Sequence, residues 1–302
     1  MPVERAPLSN GGGGMKVLVL GASGMLGNAM ARVLPAEAGL EVYGVARRAF
    51  SPQDFPHLPA ERYLTIADIH DLDALRALIG RTEPDVVINA VGMVKQLAGA
   101  EDPLVALPIN ALLPHQLARL CGEAGARLVH ISTDCVFDGA RGNYTEDDLP
   151  DATDLYGRSK LLGEVDYPHA VTLRTSIVGH EIDSHHGLFD WFLSQQGTVA
   201  GYRRAIFSGL TTVEFARVIA RQVMPNPQLR GLYHVAGEPI SKHDLLGIVA
   251  EAYGKRIEIV PRDEPRIDRS LSAARFRAAT GYKPPGWRTL VRELRDAYDR
   301  RG

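Results

Sequence analysis

The chain has 302 residues, 45% of them hydrophobic, enough for one large domain or two closely joined ones around a substantial core. Its formal net charge of −2 shows no basic surplus of the kind that binding a phosphate backbone requires, which argues against a nucleic-acid partner. Two cysteines, Cys121 and Cys135, are too few for a disulfide framework, and no apolar run approaches the roughly 18 residues of a membrane span, so no membrane partner is expected and a reducing cytoplasm is the expected address.

The opening "MPVERAPLSNGGGG" lacks the apolar core of a signal peptide, and its Pro, Ser and Gly content predicts a disordered extension over residues 1–14. The fold is then expected to start near Met15. "KVLVLG" reads as the first strand and runs directly into "GASGMLG", where Gly21, Gly24 and Gly27 stand three residues apart and a helix begins. Met25, Leu26, Ala29, Met30, Val33 and Leu34 then fall on one apolar stripe of 3.6-residue period. Backbone amides at a helix N-terminus bind anions, and glycine lets a pyrophosphate approach without meeting a side chain. Gly21, Ser23, Gly24, Met25, Leu26 and Gly27 are therefore candidate dinucleotide contacts, the bland alternative being a tight strand-to-helix turn with no ligand.

"EVYGVA" is the second strand, and after it stand Arg47 and Arg48, where a cofactor with a free adenosine 2′-hydroxyl would want an acidic residue. A 2′-phosphate carries about −1.5 to −2 charges near pH 7, and a guanidinium meets it with two parallel hydrogen bonds. NADPH is favoured over NADH, which stays admissible. Asp68 and Ile69 in "ADIHD", and Asn89, Ala90, Val91 and Gly92 in "INAVG", are strand ends counted with the same cofactor site. "NALLPHQLARLCGEAG" predicts a helix ending in a left-handed cap at Gly125. "RLVHIST", "VTLRTSIVG" and, much later, "LYHVAG" continue the alternation of buried strands with helices, which predicts an α/β fold with a Rossmann-type, doubly wound parallel sheet.

"DLYGRSKLLGE" places Tyr156 and Lys160 one helical turn apart, so both side chains leave the same face. The bland reading pairs Lys160 with Glu164, an i,i+4 ion pair worth ~0.3 kcal/mol, and leaves Tyr156 a half-buried ring. After about residue 178 strand signals thin out, and "GLYHVAGEP" reads as a return to the sheet. The expected division is a nucleotide-binding domain over 15–178 and 205–237 interleaved with a smaller substrate domain over 179–204 and 238–302. His180, His185 and His186, with Glu181 and Asp183, match no firm zinc spacing, so a substrate-side loop and no metal is expected. Trp191 and Phe192 pack the second domain, though either could stack on a nucleobase.

With "GASGMLG", "VINAVG", "HISTDCVFDG" and "LYGRSKLLGE" in this order, the chain resembles the extended short-chain dehydrogenase/reductase superfamily, and within it the dTDP-4-dehydrorhamnose reductase family. "LRTSIVG", "FSGLTTVEFARVI" and "RSLSAARFRAATGYKPPGW" extend the resemblance from Met15 to about Leu290. It implies an NAD(P)-binding Rossmann domain, a small C-terminal domain holding a nucleotide-activated sugar, and room for a homodimer. By position, Thr133, Tyr156 and Lys160 fall on the family's catalytic residues and Asn110 on the helix asparagine that organises the proton relay. Arg174, Thr175, Ser176 and Val178 would lie near the nicotinamide, with Arg174 and Ser176 as cofactor contacts. Substrate contacts are expected from Val94, Asp134, Cys135, Trp191, Tyr202 and Arg203.

In the implied chemistry Tyr156 supplies a proton, Thr133 hydrogen-bonds the carbonyl oxygen, and Lys160 holds the ribose and favours the phenolate. Moving a tyrosine pKa from about 10 to about 7 needs ~4 kcal/mol, which a cation at roughly 4 Å supplies in an effective dielectric of about 20. Related 4,6-dehydratases carry Thr-Asp-Glu where this chain has Thr133, Asp134 and Cys135. A thiol of ordinary pKa near 8.5 replaces that glutamate poorly, which favours keto reduction over dehydration. The reductase family more often has Tyr there, so Cys135 departs from either pattern. The leading expectation is an NADPH-dependent reductase of a nucleotide-linked 4-keto-6-deoxy sugar, with an epimerase of the same superfamily, or a non-catalytic NADP-binding subunit like the partner of methionine adenosyltransferase, as alternatives.

Overall fold

A computed structural model describes residues 14–49, 54–55, 57–95, 99–182 and 186–299; residues 1–13 of the expected disordered extension lie outside them. β1 (Met15–Leu20) begins where the sequence predicts, and Val17, Leu18, Val19 and Leu20 are wholly buried, as a central strand covered on both faces must be. β2 (Leu40–Ala46), β3 (Tyr63–Thr65), β4 (Val86–Asn89), β5 (Arg127–Thr133) and β6 (Ala170–Thr175) follow. After the short strands β7 (Ile177–Val178), β8 (Thr198–Tyr202), β9 (Ala205–Phe207) and β10 (Leu210–Thr211), the chain returns as β11 (Gly231–His234). The main sheet has seven strands in the order β11-β6-β5-β4-β1-β2-β3, every neighbouring pair parallel.

Helices α1 (Met25–Val33), α2 (Leu72–Thr82), α3 (Pro103–Leu107), α4 (Leu113–Ala124) and α5 (Leu155–Leu162) connect the strands, and α3 passes into α4 through a π-helical turn, Pro108–Leu112. α6 (Leu188–Ser194), α7 (Thr212–Val218), α8 (Lys242–Ala252), α9 (Ala274–Thr280) and α10 (Trp287–Asp299) follow. Local chemistry sets their ends. Asp71 caps α2 by accepting from the Asp73 and Ala74 amides, and Asp154 caps α5 by accepting from the Gly157 amide at 2.9 Å. α4 stops at Gly125, whose φ of +68° makes it the left-handed cap the sequence predicts.

The sheet separates two cores. On one face Leu26 and Met30 of α1 join Val213 and Phe215 of α7 and Leu290 and Leu294 of α10; on the other Leu75 and Leu78 of α2 meet Leu117 and Leu120 of α4. β12 (Ile240–Ser241), β13 (Glu258–Arg262) and β14 (Ile267–Asp268) complete the smaller sheets: β8 pairs with β13, and β9 lies between β12 and β14. This moves the expected domain boundary at 205. Residues 205–207 bond to strands at 240–241 and 267–268, so β9 goes with the smaller sheets although the chain rejoins the main sheet soon after. Among the described residues no helix is long and apolar enough to cross a membrane.

Two glycines set how α1 sits on β1. Gly21 turns the chain at φ +86°, and a Cβ on Gly27 would lie 2.0 Å from the Gly21 carbonyl oxygen. Gly27→Ala should therefore lower unfolding free energy by about 1–3 kcal/mol or more through overpacking. Gly80 in α2 has nothing within 4 Å of its missing Cβ, so Gly80→Ala should stabilise by ~0.5–1 kcal/mol. Urea denaturation of the two variants reads both signs.

Candidate active site

In the sheet order β1 lies between β2 and β4, so the connections leave it in opposite directions and open a crevice beyond the strand ends. The glycine turn fills the floor of that crevice. Gly21 and Ala22 donate to the Val45 carbonyl at 3.0 and 2.9 Å, and a Cβ on Gly21 would stand 3.0 Å from the Ala90 backbone. Gly24 is the N-cap of α1 and supplies no side-chain cap, so the first amides of the helix, at Met25 and Leu26, have no intrahelical or capping partner. Arg47 and Arg48 follow β2 just past the carbonyl that holds the turn, both exposed, and Arg47 has no ion-pair partner among the described residues. An uncapped helix end above a glycine-bounded turn, with Arg47 exposed just past β2, fits a dinucleotide phosphate.

Other expected cofactor positions divide. Ser23, Ala90, Val91 and Gly92 line the strand ends, and Asp68 is exposed with its Oδ1 accepting from the His70 amide at 2.9 Å. Ile69 packs on the α2 core. The Asn89 side chain turns inward, accepting from the Val91 amide and contacting His130 Nδ1 at 3.2 Å. Arg174 needs a correction. Its guanidinium is buried in the sheet, bonded to Glu164 at 2.7 and 2.6 Å and to His234 at 3.3 Å, so each of its three nitrogens is engaged within the fold.

Thr133 ends β5, and α5 presents Tyr156 and Lys160 toward it on successive turns. A Cβ on Gly157 would be 2.3 Å from the Cys135 carbonyl oxygen, so α5 seats directly against the segment following Thr133. Thr133 Oγ1 donates to Asp134 Oδ1 at 3.1 Å and accepts from the Cys135 amide at 3.1 Å. Lys160 is buried and donates to the Ile131 carbonyl at 2.7 Å; the surface pair with Glu164 does not form, because that carboxylate is held by Arg174 and Ser132. Asn110, in the π-helical turn, accepts from the Met93 amide and donates to the Met93 carbonyl and to Ser159 Oγ, clamping the loop after β4 to α5.

Electrostatics follow from this burial. Burial pushes Lys160 down to about 8, with the Glu164 charge opposing. Burial raises Tyr156 above the ordinary phenol range, helped by the neighbouring Cys135, Asp134 and Asp154 and opposed by the Thr133 hydroxyl. The downward tuning anticipated for this phenol is absent in the protein alone, where burial dominates and the lowering comes from the Thr133 hydroxyl rather than from Lys160. Burial likewise raises the Asp134 carboxyl and lifts the Cys135 thiol to about 11.

Among the expected substrate residues, Asp134 and Cys135 adjoin Tyr156, and Val94 is exposed in the loop after β4. Arg203 is paired with Asp263 at 2.7 Å on the exposed edge of the β8–β13 sheet, close to Tyr202, and Trp191 is 37% exposed on α6 while Phe192 is buried. His180 is tied into the fold: it bonds Asp190 at 2.5 Å and the Tyr253 hydroxyl at 2.7 Å, and its carbonyl accepts from Asn28 of α1. Asp183 and His185 lie outside the described residues. Lys95, which sequence reasoning passed over, reaches Asp154 at 2.9 Å and sits 5.6 Å over the Tyr156 ring.

The family profile described as "RmlD substrate binding domain" matches residues 15–300, spanning both sheet systems and every element of this site. The chain belongs to that family. It is 26% identical over 305 residues to the dTDP-4-dehydrorhamnose reductase of Aggregatibacter actinomycetemcomitans, covering 93% of this chain and 98% of that protein. It is also 26% identical over 261 residues to the methionine adenosyltransferase 2 subunit beta of Xenopus tropicalis, covering 80% of this chain and 72% of that one. A solved hypothetical dTDP-4-dehydrorhamnose reductase from Sulfolobus tokodaii superposes with a TM-score of 0.71 at 28% identity, over 90% of this chain and 98% of that one. The resemblance read from the motifs therefore holds at the level of family and fold.

The depressed Lys160 has a stability consequence. Between about 8 and the ordinary lysine value of about 10.4 the folded chain binds fewer protons than the unfolded one, so stability rises with pH across that window. Lys160→Met should remove that rise, worth up to ~3 kcal/mol at 1.36 kcal/mol per pH unit, leaving the variant relatively more stable at pH 7 than at pH 10. Denaturant titrations at the two pH values test the sign.

Proposed function

We propose that the chain is an NADPH-dependent reductase of a nucleotide-linked 4-keto-6-deoxy sugar, serving a pathway to a polysaccharide or glycosylated product. The observation that carries this reading is the convergence of Thr133, Tyr156 and Lys160 at the strand ends beside an uncapped, glycine-lined helix N-terminus. The reduced dinucleotide, when bound, supplies a hydride. Met25 and Leu26 amides would hold its pyrophosphate and Arg47 its 2′-phosphate.

The protein's part is the proton and the charge. A phenol kept protonated by burial is the correct starting state for Tyr156 as a proton donor, because an alkoxide forming on the substrate is a far stronger base than a phenolate. Thr133 must turn its hydroxyl from Asp134 toward the substrate carbonyl, and burial, by disfavouring the charged form of Asp134, weakens the bond that has to be given up. Lys160 uses one N–H on Ile131 and keeps two for a ribose hydroxyl. Cys135, with its thiol pushed to about 11, is unsuited to the base role that water elimination would need, which supports reduction over dehydration.

A second reading, a non-catalytic NADP-binding subunit, is favoured by the match to the methionine adenosyltransferase subunit. The complete Thr133, Tyr156 and Lys160 set weighs against it. Loss of NADPH absorbance against a panel of enzymatically made dTDP- and UDP-linked 4-keto sugars separates the two. Tyr156→Phe should lower kcat by roughly 10²–10⁴-fold; a variant keeping most of its activity removes Tyr156 as the donor. Inactivity of the wild type on every keto sugar, alongside a stable complex with a synthetase, would favour the second reading. Arg47→Asp should raise the KM for NADPH by roughly tenfold or more, the loss of one charge-assisted pair, while leaving that for NADH nearly unchanged.

A further inference from the structure

Two cations to which neither the sequence reading nor the proposed chemistry gives a role approach one carboxylate at the mouth of the site. Lys95, in the loop after β4, donates to Asp154 Oδ2 at 2.9 Å. The other oxygen of Asp154 is already spent capping α5 through the Gly157 amide. Arg269 comes from the segment following β14 and is fixed along its length. Its amide donates to the Ile206 carbonyl at 3.1 Å and its Nε to the Phe137 carbonyl at 2.8 Å. The missing Cβ of Gly139, which would lie 3.0 Å from Arg269 Cγ, gives its stem room.

Phe137 and Asp154 ride on loops laced together, since Asp151 and Ala152 both donate to the Val136 carbonyl, at 3.1 and 3.0 Å. Against burial, the Gly157 amide and Lys95 lower Asp154, the Arg269 charge adds a smaller share, and the same charge opposes the rise of Asp134. Its two terminal nitrogens have no hydrogen-bond or ion-pair partner among the described residues. A half-buried fork anchored by Nε alone presents the four N–H groups of its two terminal nitrogens to whatever enters.

We propose that Lys95, from the loop after β4, and Arg269, from the segment after β14, form a two-cation subsite for the diphosphate of the substrate. This rests on the nucleotide-sugar reading above. Lys95 and Asp154 are 39% and 42% exposed, so their pair is worth only ~0.2–1 kcal/mol and Lys95 can exchange partners at little cost. Two adjacent phosphoryl groups suit one planar fork and one mobile point charge, while a single carboxylate would satisfy only the fork.

The test is calorimetric titration of the full-length chain with dTDP, UDP and GDP, each beside its parent nucleoside. At least one diphosphate should bind ten times more tightly than its nucleoside, and Lys95→Met and Arg269→Met should each weaken it by roughly tenfold, the value of one charge-assisted contact. Nucleoside and NADPH affinities should stay unchanged. Lys95 is a surface position, so Lys95→Met still answers if Arg269→Met folds poorly. Variants that bind diphosphates as the wild type does overturn the subsite while leaving the reductase reading intact. A loss confined to UDP-glucuronate, with UDP unaffected, also overturns it by moving the anion to the sugar. A wild type that binds no nucleoside diphosphate removes both the subsite and the reading on which it rests.

Discussion

Backbone pressed on backbone, at places where no Cβ can stand, governs the geometry of this protein. α1 reaches the glycine turn only because Gly27 lets the Gly21 carbonyl within 2.0 Å of where its Cβ would be. The same device recurs twice on α5: Gly157 against the Cys135 carbonyl, and Gly163 against the Asn110 carbonyl, also at 2.0 Å. The first contact aims the amides of α1 into the crevice, and the other two set Tyr156 and Lys160 beside Thr133. Side-chain packing tolerates exchanges of similar volume, but a carbonyl oxygen at that range tolerates none. The site is thereby located by contacts that are insensitive to the identity of the surrounding apolar residues.

The long elements were legible because their signals are redundant. β1, β2, β4, β5 and β6 are apolar runs bounded by turn residues, and Gly125 marks the end of α4 by a single conformational requirement. The small sheets were not legible: β7, β10, β12 and β14 have two residues each, too short for any period to show. The boundary at 205 failed for that reason, since only hydrogen-bond partners reveal where β9 belongs. Arg174 was misjudged because a position in a motif says nothing about which way a strand side chain points. Lys95 lay outside every motif, and Arg269 only opened "RSLSAARFRAATGYKPPGW" with no role attached to it. The nearest signal was Asp154, a helix cap immediately before "LYG", whose second oxygen had to be bonded to something.

Between the sheet and α5 runs a buried polar layer in which nearly every group is committed. Glu164 accepts from Arg174 and Ser132, Lys160 from the same helix is held on Ile131, and Asn89 contacts His130. Burying these charges stabilises little in itself, because desolvation offsets most of the Coulombic gain. Its effect is to fix orientation: the Arg174–Glu164 pair ties α5 to β6 and removes the one carboxylate that could have drawn Lys160 away from the catalytic face. Asn110 does the corresponding work for the loop after β4, holding Met93 by both its amide and its carbonyl. Lys95, two residues further on, inherits its placement from that clamp.

The position of β11 bears on how such a chain can be made. It lies beside β6 at the rim of the main sheet, yet it is separated from β6 by most of the first half of the small-sheet system. During synthesis β6 therefore leaves the ribosome with one row of backbone donors and acceptors unmatched until residues 231–234 emerge, and strands left in that state pair readily with other chains. Because the missing partner is a long way downstream, closing the rim is a non-local and comparatively slow event. Crowded expression at high temperature should accordingly yield aggregates seeded at the β6 edge, and slower translation or an early chaperone contact should relieve them without any change in the sequence.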